Sequence, residues 1–411
     1  MLSINAERFL ADMEELAQIG ATASGGVSRP ALGAQDLQAR AWLQSKFEAL
    51  GLDYEQDGAA NQFGTLRADV ADAKTLLIGS HLDSVPDGGR YDGALGVLCA
   101  LEVVRRLQES EHKLPFHLAC VNFTDEEGTL MGLMGSRAVS GQMSADDLQN
   151  PRGGRSRLEA AMQRAGISDA SILGARRSPD DLLGYIEVHI EQGTRLEQAE
   201  LQVGVVTALV GIRMKRLTFT GQAAHAGTTP VNARRDAFLG VADFALRAHD
   251  LVLQKHMPGV VNVGEVAVEP GAFNIVPGQV TAALEFRHGS QEELDALEHD
   301  LLSLAQTVAD ERRLELKIDG LGEVRPATMD TTLTRYIEAA SEVLGLGHTR
   351  LMSFAGHDPQ NMANIVPSAL LFVPSVDGIS HNPREYTPPQ DCINGANVLL
   401  HTVLRLAENS E

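Results

Sequence analysis

His81-Leu82-Asp83 directly follows the apolar run at residues 75–79. An imidazole that binds metal needs a partner for its other N–H, and Asp83, two residues on, is placed to accept it. On its own, a His in a loop is more often a surface or capping residue. Asp92 stands in Gly89-Arg90-Tyr91-Asp92-Gly93 at a predicted helix start, where N-capping is the ordinary role. It can serve as a ligand only if its carboxylate points away from the helix. Asp125-Glu126-Glu127-Gly128 closes a second apolar run at residues 116–123. Successive carboxylates beside a core repel one another unless a cation sits among them. A metal would supply that cation and leave one carboxylate free to act as a base; a solvated acidic turn is the alternative. His189 lies inside Ile186-Glu187-Val188-His189-Ile190-Glu191-Gln192-Gly193, where a buried neutral His bonded to backbone is the alternative. His381 follows Val376-Asp377-Gly378-Ile379-Ser380 in an irregular loop, the kind of segment that carries function. His225 and the triplet Gly356-His357-Asp358 complete the set. Imidazoles and carboxylates at the ends of several strands are what a metal hydrolase needs. These residues run from 81 to 381, so no local spacing rule such as HExxH certifies them.

The elements that must position these residues follow from periodicity. Residues 35–50 and 92–108 carry apolar side chains at helical spacing, and residues 75–79, 116–123, 183–190 and 368–374 read as buried strands. Strands separated by helices imply an α/β sheet with parallel members, whose sites form beyond the carboxyl ends of strands. Between 210 and 325 the rhythm changes. Strands are predicted at 213–220, 260–269, 278–287 and 314–319, with helices at 232–253 and 290–313. That βαββαβ order is the ferredoxin-like unit. The expectation is therefore a discontinuous α/β catalytic domain with a mixed sheet (1–209 and 326–411) and an inserted ferredoxin-like α+β domain (210–325).

Composition narrows the functional classes. The 411 residues are 44% hydrophobic and 22% charged, an ordinary globular balance that excludes wholesale disorder. Thirty-four Lys and Arg against 55 Asp and Glu give a formal charge of −21, which argues against nucleic acid or an anionic membrane as main partner. Cys99, Cys120 and Cys392 are too few and scattered for a disulfide framework. The first residues lack the pattern of a signal peptide, and no apolar run reaches the ~18 residues that span a bilayer. A cytoplasmic location is expected.

Gly79-Ser80-His81-Leu82-Asp83-Ser84-Val85 with Gly88-Gly89-Arg90-Tyr91-Asp92-Gly93 resembles the M20-type metallopeptidase clan of aminoacylases and glutamate carboxypeptidases. Further segments resemble its amidohydrolase branch, the N-carbamoyl-L-amino-acid hydrolases, β-ureidopropionases and allantoate amidohydrolases. They are Glu126-Glu127-Gly128, Val188 to Gly193, His225-Ala226-Gly227-Thr228-Thr229-Pro230 with Arg234-Arg235-Asp236, and Gly356-His357-Asp358 with Ile379-Ser380-His381-Asn382. The resemblance runs in order along essentially the whole chain. It implies two divalent ions per subunit, zinc first, with manganese, cobalt or nickel also suited to such ligands. His81 and His189 would serve one ion, Glu127 and His381 the other, and Asp92 would bridge. Glu126 would be the general base and acid, and Asp83 would orient His81. The inserted domain would carry the homodimer interface and supply His225, Asn274 and Arg287 to the substrate. Gln192 and Gly356 would also contact the substrate. One departure is visible: where the family usually continues with Ser-Arg-Phe after the Glu-Glu-Gly turn, this chain has Thr129-Leu130-Met131. The change leaves the ligand positions intact and bears on the substrate.

The implied reaction is hydrolysis of the ureido C–N bond of an N-carbamoyl-L-amino acid, a small anionic substrate, to amino acid, ammonia and carbon dioxide. Allantoate is the close alternative. More distant ones are a dipeptidase or aminoacylase of the same clan, or an inactive binding protein on this scaffold. The presence of Glu126 and of all five ligand residues opposes the last.

Overall fold

In the computed structural model, which describes residues 1–409, the chain divides into two compact units. One comprises Met1–Thr207 and the described residues from Met329 onward; the other is Ala208–Thr328.

The larger unit is built on a mixed sheet. Strands β1 (Asp53–Gln56), β2 (Gln62–Leu66), β3 (Thr75–His81), β4 (His117–Phe123), β5 (Leu182–Ile190) and β6 (Val203–Leu209), with strand Ser368–Val373, lie in the order β1-β2-β4-β3-β5-(368–373)-β6. β3 runs parallel to β4 and β5, and 368–373 runs parallel to β5. β2 pairs antiparallel with β4, and β6 with 368–373. The parallel strands read as continuous apolar runs because both their faces are covered. Leu76, Ile78, Leu118, Cys120, Ile186 and Val188 join one core cluster, while Leu77, Val121, Phe123 and Tyr185 join another. This is the period-two alternation of a strand, with a core on each side. Helix Ala94–Glu109 packs on the sheet beside helix Pro389–Glu408, and 13 of its 16 residues are buried, so it lacks the polar face of a surface helix.

β3 is longer than its apolar run suggests: it continues through Ser80 to His81, which is the last residue of the strand and not a loop residue beyond it. Helix Ala94–Glu109 starts two residues after Asp92. Its N-cap is Gly93 with no side-chain cap, so the capping role open to Asp92 is not taken.

In the smaller unit, strands Gly211–Thr220, Val260–Glu269, Gln279–His288 and Glu315–Val324 form an antiparallel sheet in the order (315–324)-(211–220)-(279–288)-(260–269). Helices Ala237–Lys255 and Gln291–Glu311 cover one face. Val280, Ala282, Leu284 and Phe286 alternate inward against Phe244, Leu297 and Leu301. The first of these helices begins later than its apolar spacing predicts, because Asp236 caps it by accepting from the N–H of Phe238 and Leu239. All three cysteines are free and buried. Among the described residues, no helix is long and apolar enough to cross a membrane.

Candidate metal and catalytic site

Strand order explains how residues far apart in sequence meet. β3 lies between β4 and β5, so successive connections leave it in opposite directions. In open α/β sheets the carboxyl ends at such a point are where ligand sites form. His81 pairs in register with Phe123, just ahead of the Asp125–Glu127 turn, and His189 pairs with Phe372, ahead of the loop that carries His381.

The five expected ligands converge. His81, Asp92 and His189 form one group of mutually close ligand atoms, and Asp92, Glu127 and His381 form a second. Asp92 belongs to both and turns a different oxygen to each. Oδ1 lies 3.1 Å from His189 Nε2 and 3.7 Å from His81 Nε2, while Oδ2 lies 3.4 Å from His381 Nε2. His381 Nε2 is in turn 3.2 Å from Glu127 Oε2. Ligand atoms spaced tetrahedrally around a metal with bonds near 2.0–2.1 Å sit about 3.3 Å apart, which these spacings match better than ordinary hydrogen bonds do.

Protonation tests the fit further. His81 Nδ1 bonds to the Asp83 carbonyl at 2.9 Å and His189 Nδ1 to the Ile190 carbonyl at 2.9 Å. Each ring therefore donates from Nδ1, which leaves Nε2 as the atom facing the ligand group. His81 Nε2 is buried without a hydrogen-bond partner, as is Glu127 Oε1. Burial pushes the His81 imidazole down to about 4 despite Asp92, so it stays neutral. Burial also disfavours charge on His189, but Asp92 outweighs it and holds that ring up at about 9. Burial together with repulsion from Asp92 and Asp83 pushes Glu127 up to about 10, and burial with Glu127 raises Glu126 well above the carboxylate range. Such a crowd of buried carboxylates is what a bound cation would relieve. The donor set fits divalent metal.

Asp83 partners His81 through its main-chain carbonyl and not through its carboxylate, which is 3.9 Å from Nδ1. The carboxylate instead accepts from the amides of Glu126 and Glu127, each at 3.3 Å. It thereby ties the loop after β3 to the turn after β4. Glu126 Oε2 lies 3.6 Å from His81 Nε2, beside the first group. Gln192 Nε2 donates to Asp92 Oδ2 at 2.8 Å, and its Oε1 is buried without a partner. Gly356 is exposed on the stretch between strand His348–Ser353 and the short helix Pro359–Met362. Leu130, which stands in the departing turn, is buried at 1% in a separate apolar cluster with Leu32, Met134 and Leu158.

The smaller unit brings together two of its three expected residues. His225 pairs with Ile275, and the Ala226 amide bonds to the Asn274 carbonyl. His225 Nδ1 accepts from the amides of Gly227 and Thr228, so its ring proton sits on Nε2. Arg287 shares a face of its strand with Glu285, 2.7 Å away.

Several further side chains contribute; of them only His357 stood among the candidates read from sequence. Glu385, four residues past His381, accepts from the amides of Tyr91 and Asp92, each at 3.0 Å. Ser80 and Tyr185 both bond Glu187 beneath the site at 2.7 Å, and the His357 ring packs on that of His189 with centroids 4.3 Å apart. Glu187 and His357 carry a weak signal in sequence, as polar residues inside or beside an apolar strand. Gly93 carries none.

The model of the peptidase family M20/M25/M40 matches residues 77–405. The chain belongs to that family. Members are metal-dependent hydrolases, in accord with the two ligand groups. An N-carbamoyl-L-amino acid amidohydrolase of Geobacillus stearothermophilus is 36% identical over 98% of this chain and 99% of its own length. An allantoate amidohydrolase of Bacillus subtilis is 32% identical over 96% of each. Among solved structures, a hydantoinase/carbamoylase family amidase from Burkholderia multivorans superposes with a TM-score of 0.90 at 34% identity, covering 99% of this chain and 98% of that one. The amidohydrolase branch that the motifs resemble is therefore the branch in which similar proteins are found.

Proposed function

We propose that this M20-family hydrolase cleaves the ureido C–N bond of an N-carbamoyl-L-amino acid, with two divalent ions, zinc first, held at the paired ligand groups. The observation that carries the reading is Asp92, whose two oxygens face two separate sets of His and carboxylate ligands. The ions would supply positive charge that polarises the ureido carbonyl and acidifies a water. His81, His189, Glu127 and His381 would hold them, with Asp92 common to both ligand groups. Glu126 takes the proton of the attacking water and returns it to the leaving nitrogen, a role that suits a carboxyl raised by burial. Gln192, with its amide N–H committed to Asp92, offers Oε1 to a ureido N–H.

The smaller unit is read as a ferredoxin-like lid and dimerisation domain, inserted in sequence between the two stretches of a discontinuous catalytic domain. His225, donating from Nε2, would stabilise the oxyanion of the tetrahedral intermediate. Asn274, Arg287 and Gly356 would grip the remainder of the substrate. The charge of −21 repels an anionic substrate, so attraction must be local, and Arg287 is the cation proposed for its carboxylate. Three free, buried thiols suit a reducing cytoplasm.

Allantoate is the second reading, favoured by the Bacillus subtilis relative. Ammonia release from N-carbamoyl-L-amino acids, allantoate and dipeptides, before and after chelation and metal return, tests both. Metal-restored turnover of the N-carbamoyl compounds above the others is expected. Preference for allantoate selects the second reading, and preference for dipeptides or full activity without metal overturns the first two together.

A further inference from the structure

Glu385 touches none of the five ligand side chains, yet three hydrogen bonds converge on it. It is 5% exposed. Its Oε1 accepts from the backbone N–H of both Tyr91 and Asp92 at 3.0 Å, and its Oε2 lies 2.9 Å from Ser380 Oγ. Ser380 Oγ also stands 2.8 Å from Asp92 Oδ2, the oxygen that Gln192 Nε2 approaches at 2.8 Å. Space is reserved for this arrangement, since a Cβ on Gly89 would fall inside 3.0 Å of the Glu385 carboxylate. One side chain thus fixes Asp92 from two directions, through its own amide and through the hydroxyl beside its carboxylate. It also ties the Gly89–Asp92 segment to the loop bearing His381.

We infer that Glu385 is the positioning residue that holds Asp92 with one oxygen towards His81 and His189 and the other towards Glu127 and His381, Ser380 being its relay. The inference rests on the metal-pair reading proposed above. Ser380 bridges the two carboxylates: its single hydrogen stands between Asp92 Oδ2 and Glu385 Oε2 and is shared by both. All three contacts on Glu385 are then filled by donors, and Asp92 Oδ2 keeps the Gln192 N–H.

This chemistry separates a positioning role from a direct one. In Glu385→Gln, Oε1 still accepts both amides, Nε2 donates to Ser380 Oγ, and the Ser380 hydrogen goes to Asp92 alone; the hold on Asp92 persists. In Glu385→Ala, two buried N–H groups and a hydroxyl lose their acceptor. Partners behind a metal ligand typically change metal affinity by about 10–100-fold when removed. The test is zinc affinity and stoichiometry of the full chain, measured by competition with a chromophoric chelator, with circular dichroism to verify the fold. Glu385→Ala is expected to weaken binding at least tenfold, with Glu385→Gln within about threefold of wild type. Ser380→Ala trims only a hydroxyl and gives a second measurement should Glu385→Ala fail to fold; a loss approaching tenfold is expected. The double variant should lose less than the sum of the two, because both act through Asp92. Wild-type affinity in Glu385→Ala or Ser380→Ala, or a Gln variant as weak as Ala, overturns the inference while leaving the metal pair in place. A wild-type chain that takes up no zinc overturns the proposed function and this inference with it.

Discussion

Gly93→Ala tests how closely the backbone is fitted to the first ligand group. Gly93 has φ +64 and ψ −49, a conformation that L side chains rarely adopt. A Cβ there would also fall inside 3.0 Å of three atoms of the His81 ring, Nδ1, Cε1 and Nε2. Ordinary contact begins near 3.4 Å, so the ring must retreat by about 1 Å, against a tolerance of about 0.2 Å for metal–ligand distances. Backbone strain of about 1–3 kcal/mol and overpacking of about 1–3 kcal/mol add to a destabilisation of about 2–6 kcal/mol. His81 has no easy retreat, since it is fully buried and its Nδ1 is tied to the Asp83 carbonyl. Gly166→Ala is the matched control: its φ is +70, and a Cβ there meets nothing within 4 Å. Thermal unfolding of the metal-free chains, followed by metal content after a fixed chelator challenge, reads both effects. Gly93→Ala should melt well below Gly166→Ala and lose its metal, while Gly166→Ala keeps metal at the wild-type level. If the two variants behave alike, the contact between Gly93 and the His81 ring is not what the metal site depends on.

Neighbouring carboxylates should separate by role: Glu126→Gln keeps bound metal while turnover falls roughly a hundredfold or more, whereas Glu127→Gln loses metal. Metal loss in Glu126→Gln comparable to that in Glu127→Gln would reverse the two assignments. Metal uptake should release protons, because in the metal-free chain His189 is held up at about 9 and Glu127 at about 10, so both are protonated at neutral pH. Since the proton and the metal compete, apparent affinity rises with pH and falls about tenfold for each unit below about 9 on account of His189 alone. Calorimetry at pH 7.5 in buffers of different ionisation enthalpy should find net proton release on metal uptake; none released would contradict a protonated His189 and Glu127. Mixing inactive His225→Ala with inactive Glu126→Gln subunits should restore part of the activity if His225 serves a neighbouring subunit. Absence of recovery, with mixed dimers shown to form, would place the whole site within one chain.

The sequence by itself determined which side chains could do chemistry and where each would be delivered. Apolar runs ending at His81, Asp125 and His189 are local patterns, and a buried parallel strand has to release its chain at the carboxyl end, where polar groups can reach water or a ligand. The long strands and helices between Gly211 and Val324 were legible for the same reason, since alternation along a strand and apolar spacing along a helix are properties of short segments. Tertiary structure decided the rest. Nothing local says that β3 lies between β4 and β5, and only that order sets His81 beside both the Glu126-Glu127 turn and His189. Nothing local distinguishes an Asp92 that caps a helix from one that turns both oxygens away to two ligand groups. Asp83 was legible as a partner of His81, but which of its oxygens serves depends on the amides of Glu126 and Glu127, more than forty residues away. Glu385 and Gly93 were invisible for a further reason: their roles are set by what the folded chain presses against them, a distance between segments that no spacing along the sequence encodes.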